Sequence, residues 1–134
     1  MRNGRRRRSK TKLIINEVPL SKNKYVNMHW AKRMKYKNDI AWLFTIADIR
    51  FATNELNKNK YPLKKAKVTF DIYFKINRRR DVANYLGGGL IAWLDTLVDF
   101  KYIKDDSYDV IGQPIVNFHV DKIKQRTEIT IEGR

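Results

Sequence analysis

The sequence KVTFDIYFKI, residues 67–76, alternates strictly between apolar and polar side chains and is the clearest structural signal in the chain. On an extended backbone, every second side chain lies on the same face. The apolar face carries Val68, Phe70, Ile72, Phe74 and Ile76. The stretch therefore predicts a β-strand that covers a hydrophobic core on one side.

The segments on either side of this strand predict two helices and three further strands. Residues 13–18 are a short β-branched run, and residues 28–52 and 86–99 carry apolar side chains at helical spacing. Residues 110–120 and 127–131 have the pattern of two strands joined by the charged turn DKIKQR. The order strand, helix, strand, helix, strand, strand indicates an α+β fold, a small mixed sheet with helices packed on it.

The predicted helix at 28–52 is apolar on more than one side. One stripe consists of Tyr36, Ile40, Leu43, Phe44, Ala47 and Phe51. A second stripe beside it consists of Trp42, Ile46 and Ile49. Because one stripe suffices to cover a core, the second is available for a subunit contact, and we expect a two-fold homodimer.

Length and charge limit the classes of function. The chain has 134 residues, 29 Lys and Arg against 14 Asp and Glu, a net charge of +15, and 43% apolar residues. This length and apolar content predict one folded domain, and the charge excess favours a polyanionic partner, with nucleic acid first. No apolar run approaches the roughly 20 residues of a membrane span, and no signal peptide is recognisable. We therefore expect a cytoplasmic protein without a membrane partner.

The first twelve residues, MRNGRRRRSKTK, hold seven basic residues and no acid. A segment of this composition is too polar to pack into a core. We expect residues 1–12 to form a flexible basic tail and residues 13–134 to form the single domain. The arginine run fits a phosphate-binding arm, and a solubilising or targeting tail is the alternative.

The absence of cysteine excludes disulfides, a thiolate nucleophile and cysteine-based zinc sites. The two histidines, His29 and His119, are far apart in the chain. Two scattered histidines are more often a hydrogen-bonded core residue and a surface residue than a metal pair. Any metal should therefore be a hard cation held by carboxylate oxygens, such as Mg²⁺ or Mn²⁺.

Acids and arginines concentrate in RRRDVANYLGGGLIAWLDTLVDFKYIKDDSYDVIG, residues 78–112. Magnesium-dependent hydrolysis of a phosphodiester needs carboxylates that folding brings together, and the candidates are Asp81, Asp105 and Asp106. Asp105 and Asp106 are adjacent, and on an extended chain they point to opposite faces. Only one of them would then easily reach a shared ion.

Two further features of this stretch have more than one interpretation. Arg78, Arg79 and Arg80 either clamp phosphate oxygens beside Asp81 or form a solvated charged turn. The glycines at 87–89 lie in a helical segment, where each costs roughly 1 kcal/mol relative to alanine. They indicate either a close approach of another backbone or an irregular start of the helix.

The order of motifs in the chain resembles that of the RusA-type Holliday junction resolvases. The motifs are the RRR turn, Asp81-Val82-Ala83-Asn84, Asp95-Thr96-Leu97 and Asp105-Asp106. The stretch LSKNKYVNMHWAKRMKYK, residues 20–37, is also similar to the family's first loop and helix entry. The resemblance covers most of residues 13–131.

The resemblance implies a homodimer that binds four-way DNA junctions and cuts opposing strands with magnesium. It matches Asp81 and Asp106 to two of the family's three carboxylates, and Asn84 to the asparagine that follows them. Asp105 is a further candidate acid. The candidate catalytic residues are thus Asp81, Asn84, Asp105 and Asp106. The candidate metal ligands are Asp81, Asp106 and Asp105, and which of the two adjacent acids binds the ion stays open.

The chain departs from the family pattern at two points. Ala83 occupies the position of the third carboxylate, and on an extended backbone it would share a face with Asp81. The family lysine is also missing, because Leu90, Ile91 and Ala92 occupy its region. A deliberate change and natural divergence both fit Ala83. The two departures predict impaired cleavage with DNA binding retained.

We expect phosphate contacts from the tail, the first helix region and the arginine turn. The residues are Arg5, Arg6, Arg7, Arg8, Lys24, His29, Lys32, Arg33, Lys35, Arg78, Arg79 and Arg80. Two alternatives to a junction nuclease remain at this point. One is an architectural protein that binds branched DNA without cutting it. The other is a ribosome-associated basic protein, although the sequence lacks evident stacking motifs of RNA-binding modules.

Overall fold

The computed structural model describes residues 10–52 and 61–134, with the backbone alone at 49–52. The elements in chain order are β1 (Lys10–Ile15), α1 (Lys22–Val26), α2 (Trp30–Ala52), β2 (Ala66–Phe74), α3 (Ala83–Leu86), α4 (Leu90–Asp99), α5 (Tyr108–Ile111), β3 (Ile115–Val120) and β4 (Arg126–Gly133). The four strands form one sheet in the order β1-β4-β2-β3.

Strand β4 pairs antiparallel with both β1 and β2, whereas β3 runs parallel to β2. A parallel pair needs a crossover connection, and here the chain between β2 and β3 contains α3, α4 and α5. The prediction of a mixed α and β structure, with helices and a mixed sheet, is therefore confirmed.

The core lies between one face of the sheet and the helices α2 and α4. The buried apolar side chains of β2 include Val68, Phe70, Ile72 and Phe74. Phe44 of α2 packs edge to face against Trp93 of α4, with the ring centroids 5.8 Å apart. Ile76 was expected on the buried face, but β2 ends before it and its side chain is largely exposed.

Helix α2 has two apolar sides, as its sequence indicates. Its buried side carries Ile40, Phe44 and Ala47. On the outer side, Trp42 is 65% exposed and Ile46 is 39% exposed. The side chains of Ile49 and Phe51 lie outside the described residues. The outer side is therefore apolar and uncovered in the described part of the chain.

The first strand begins earlier in the chain than the sequence pattern indicates. Strand β1 starts at Lys10 and pairs along its length with β4, so residues 10–12 belong to the sheet and not to a flexible tail. It ends at Ile15, where this pairing ends, and residues 16–18 lie outside the strand. The arginine run at 5–8 lies outside the described residues.

The predicted strand at 110–120 is wrong in its first part. Residues 108–111 form the short helix α5, and β3 begins at Ile115. Gly112 ends this helix with a φ of 61°, a left-handed conformation that favours glycine. The short helices α1 and α3 are likewise absent from the predicted order. Hydrophobic periodicity does not reveal helices of four or five residues, because they complete little more than one turn.

Candidate nucleic-acid interface

A concave surface, which we call the basic groove, opens between the loop that precedes α1 and the segment that follows β2. Its volume is about 470 Å³. Four cationic side chains line it, namely Lys24, Lys75, Arg78 and Arg80. With one carboxylate, Glu17, against these four cations, the lining has a net positive charge, which a concave surface concentrates. The basic groove therefore fits a polyanion such as nucleic acid.

The basic groove also has an apolar wall and neutral or acidic polar groups. The wall consists of Val18, Pro19, Leu20, Phe74, Ile76 and Tyr85. Glu17 accepts a hydrogen bond through Oε1 from its neighbour's backbone N–H at 3.0 Å. The Oε1 of Gln125 accepts one from the backbone N–H of Lys75 at 3.4 Å. The basic groove therefore presents apolar side chains and hydrogen-bonding groups as well as positive charges.

Glycines hold the loop of the basic groove against the start of α4. The Gly89 N–H donates a hydrogen bond to the Leu20 carbonyl oxygen at 2.8 Å. A Cβ atom on Gly89 would lie 2.5 Å from the Leu20 nitrogen, and one on Gly88 would lie 2.6 Å from the Lys22 nitrogen. Distances this short exclude a side chain. Both interpretations of the glycine run are confirmed: another backbone approaches closely at Gly88 and Gly89, and residues 87–89 form turns, so that the predicted helix at 86–99 begins only at Leu90.

Tyr36 of α2 fixes the same loop to the core. Its hydroxyl oxygen accepts a hydrogen bond from the Leu20 N–H at 3.3 Å and another from Nε1 of Trp93 at 2.8 Å. Trp93 is fully buried. The loop that forms one side of the basic groove is therefore attached to two core helices.

Arg80 is held in place by its neighbours in the basic groove. Its guanidinium carbon lies 3.7 Å from the centroid of the Phe74 ring. Its Nη1 donates to the carbonyl oxygen of Arg78 at 3.2 Å, and its buried Nε has no hydrogen-bond partner among the described residues. Arg79 is exposed and lies outside the lining of the groove. Of these arginines, Arg80 is thus fixed by contacts with its neighbours, whereas Arg79 is exposed to solvent.

Asp81, Ala83 and Asn84 lie at the start of α3, and all three are exposed. The Asn84 N–H donates to the backbone carbonyl of Asp81 at 3.1 Å. Val82 has helical dihedral angles, φ −56° and ψ −41°. The chain here is therefore helical, and the expectation that residues 81 and 83 share one face of an extended backbone is wrong. Helical turning separates side chains two positions apart.

A second set of acids, which we call the acidic cluster, consists of Asp95, Asp105 and Asp106. Desolvation raises the pKa of Asp106, and the negative charges of Asp95 and Asp105 raise it further, although Asp106 remains exposed. Asp95 also forms an ion pair with Lys37, whose Nζ lies 3.4 Å from its Oδ2. Asp106 thus interacts with both Asp95 and Asp105.

The predicted metal ligands do not form a ready metal site in this structure. Within residues 10–52 and 61–134, no three or more acidic, histidine or cysteine side chains form a group that could hold an ion. Asp81, Asp105 and Asp106 are each exposed. The carboxylates are the right chemical type for Mg²⁺, but their arrangement does not fit a preassembled site.

The guanidinium group of Arg33 contacts the protein's own backbone and an aromatic ring. Its Nε donates to the carbonyl oxygen of Tyr25 at 3.2 Å, and its Nη2 donates to that of Val26 at 2.6 Å. Its guanidinium carbon also lies 5.2 Å from the centroid of the Tyr25 ring. These contacts tie the end of α1 to the start of α2.

The other predicted phosphate contacts of this region are exposed. They are Lys24, His29, Lys32 and Lys35. Lys24 lines the basic groove, whereas Lys35 pairs with Asp39 at 3.2 Å on the surface of α2. The cations of the first helices are therefore distributed over more than one surface.

Sequence reasoning missed two functional candidates in the structure. Lys75 is one of the polar residues of the alternation at 67–76, but β2 ends before it, and it lines the basic groove. Asp95 had been noted only as part of a motif, and its charge contributes to the acidic cluster. Neither position has a local pattern that indicates these neighbours, because both arise from contacts distant in sequence.

The chain matches none of the models of known protein families with which it was compared, and a comparison with curated proteins also finds no match. None of the helices in the described ranges combines the length and apolar content that a membrane crossing requires.

Proposed function

We propose that this protein is a structure-selective DNA-binding protein, similar to the RusA-type resolvases, that binds four-way or branched DNA as a homodimer. We further propose that it cleaves such DNA poorly with magnesium. The observation that carries the proposal is the basic groove, whose lining continues directly into Asp81 along the chain.

The composition of the basic groove favours DNA over smaller anions. Arg78 and Arg80 have the planar donor groups that suit phosphate oxygens, and Lys24 and Lys75 add two further charges. The net charge of +15 gives the whole protein an attraction for a polyanion. Such contacts hold the DNA backbone without reading its sequence, as recognition by shape requires.

The proposal of poor cleavage rests on Ala83 and on the arrangement of the acidic side chains. The Ala83 side chain supplies no oxygen where the resemblance implies a carboxylate, and no three acids of the described residues are arranged so that they could hold an ion. A magnesium ion held by few protein oxygens keeps most of its water and is poorly positioned. A carboxylate at position 83 would meet no steric obstacle, because this position is exposed.

A homodimer would use the outer side of α2. Trp42 and Ile46 are large, apolar and exposed there, and a two-fold contact would bury the same patch on both copies. We expect sedimentation at micromolar concentration to give a dimer for the native protein and a monomer for Trp42→Asp. A native monomer, with or without DNA, would contradict the dimer.

The test of the nuclease function compares three proteins on one synthetic four-way junction, with and without millimolar magnesium. They are the native protein, Ala83→Asp, and Ala83→Asp combined with Asp106→Asn. We expect little cutting by the native protein and an increase on the order of a hundredfold for Ala83→Asp, because the added carboxylate is a further oxygen ligand and the bound ion draws the exposed carboxylates together and positions the reacting groups. The double variant should lose this increase and retain junction binding.

The alternative function is that of an architectural protein that binds branched DNA without cutting it. The lack of a three-residue metal group within the described ranges favours this alternative. If Ala83→Asp binds the junction tightly in magnesium and leaves every strand uncut, the architectural function replaces the nuclease function. A preference for structured RNA over the junction would contradict both.

A further inference from the structure

We propose that the basic groove takes one unstacked nucleotide of branched DNA, with its base against the apolar wall and its phosphate beside the cations. The inference rests on the proposed function, because it takes DNA as the ligand. It goes beyond that function by assigning a nucleotide pocket and the chemical groups that recognise it.

The size and composition of the basic groove favour a nucleotide over a single phosphate. Its volume of about 470 Å³ lies within the range of about 300–1,000 Å³ typical of small-molecule sites. A phosphate is polar on every side and would leave the apolar wall without a partner. A nucleotide combines an apolar base face with an anionic group, and both have counterparts in the groove.

Arg80 supplies a flat cationic group that is already positioned. Its guanidinium lies over the Phe74 ring, at 3.7 Å, and is further held by the carbonyl of Arg78. Proteins commonly stack unstacked bases on arginine planes, and here Arg80 covers the buried Phe74 ring, so the guanidinium is the plane that a base would meet. Because this side chain is ordered by its neighbours before any ligand arrives, less freedom is lost on binding.

Glu17 is the groove residue that a bare phosphate site would not contain. A carboxylate repels a phosphate, but it accepts hydrogen bonds from the amino group of a base. One of its oxygens accepts the neighbouring backbone N–H, and Gln125 adds a side-chain amide to the same surface. The combination favours a base with an amino group, and thymine should occupy the groove less well.

The pocket gives a physical reason for a preference for branched DNA. A base within a continuous duplex is paired and stacked, and it must leave the stack before it can enter the basic groove. That step costs less at a branch point or a bulge, where stacking is already interrupted. DNA with such a feature therefore binds more tightly than a continuous duplex with the same backbone contacts.

The experiment uses 2-aminopurine, a base with an amino group whose fluorescence increases when it leaves the stack. One probe carries it at a branch point of a four-way junction, and a second carries it as a single-nucleotide bulge in a linear duplex. A third has it paired inside a continuous duplex. We expect the native protein to raise the emission of the first two several-fold and to leave the third dim.

The matched variants separate the nucleotide contact from general DNA binding. Glu17→Ala combined with Gln125→Ala should abolish the emission increase. Because the four cations of the groove remain, this variant should still bind the junction, so that loss of the increase reports the base contact. The control, Glu132→Ala combined with Gln113→Ala, changes the same residue types at a separate concavity and should keep the increase. Circular dichroism confirms that both variants are folded.

The outcomes distinguish this proposal from the proposed function. Tight junction binding with no emission increase from either probe overturns the nucleotide pocket and leaves junction binding intact. An increase from the bulge probe without any preference for junctions supports the pocket and overturns junction selectivity. An increase that persists in the Glu17 and Gln125 variant shows that the base binds elsewhere. Failure to bind any DNA overturns both.

Discussion

The basic groove and the acidic cluster draw on the same stretch of sequence, but they are built differently. One side of the basic groove is attached to the core through Gly89 and Leu20, and its Arg80 is held over Phe74. In the acidic cluster, Asp105 and Asp106 are exposed, and their like charges oppose each other. The candidate binding surface is therefore held by contacts with the core, whereas Asp105 and Asp106, two of the candidate catalytic groups, lie exposed on the surface.

Because of this difference, we expect DNA binding and DNA cleavage to depend on different residues. A surface held by buried contacts keeps its shape without a ligand, so binding needs little rearrangement. Repelling carboxylates on a surface lack a fixed arrangement and need a cation to bring them together. We therefore expect changes to the groove to alter binding, and changes to the acids to alter chemistry or stability with little effect on affinity.

The largest expected effect comes from removing two cations of the basic groove, Lys75→Ala and Arg78→Ala together. Each lost phosphate contact should lower the slope of log affinity against log salt by about 0.9. The loss of two charged hydrogen bonds should weaken junction binding by about 3 kcal/mol. Fluorescence anisotropy at several salt concentrations measures both. Lys122→Ala, an exposed cation outside the groove, is the control, and an equal loss there would contradict the groove as the interface.

The second-largest effect is expected for Gly89→Ala, which tests the close packing of the groove's loop against the start of α4. The new Cβ would lie 2.5 Å from the Leu20 nitrogen, so the loop must move away from α4. We expect a loss of about 2 kcal/mol in the free energy of unfolding, with weaker junction binding. Denaturant unfolding measures the change in the free energy of unfolding. Gly87→Ala, where the nearest backbone atom would be 3.2 Å away, should cost less, and a reversed order would contradict the close approach.

The smallest effect concerns the acidic cluster. Desolvation, followed by the charges of Asp95 and Asp105, raises the pKa of Asp106. A carboxyl group whose pKa is higher in the folded state destabilises that state as the pH rises through its unfolded and folded pKa values. Asp106→Asn should therefore stabilise the protein at neutral pH, by less than about 0.5 kcal/mol because the residue is exposed. The stabilisation should disappear below about pH 3.5, where the carboxyl group is mostly protonated. An equal stabilisation by Asp106→Asn at that pH would show that the carboxylate charge is not its cause.

The sequence predicts the fold better than it predicts the site. The alternation at 67–76 and the two-sided helix at 28–52 depend on local spacing, and the structure confirms that both segments bury apolar side chains in the core. The turn of Asp81 to Asn84 was expected to be extended but is helical, because four residues are too few for a periodic signal. The place of Lys75 in the groove arises from long-range contacts that no local pattern encodes.

The most direct measurement of the central claim is a competition at equilibrium between a four-way junction and a linear duplex of equal length. The native protein is used at physiological salt, with a chelator present to prevent cutting. We predict that the junction binds at least about tenfold more tightly, a difference of about 1.4 kcal/mol. Equal affinity for the two DNAs would contradict the account.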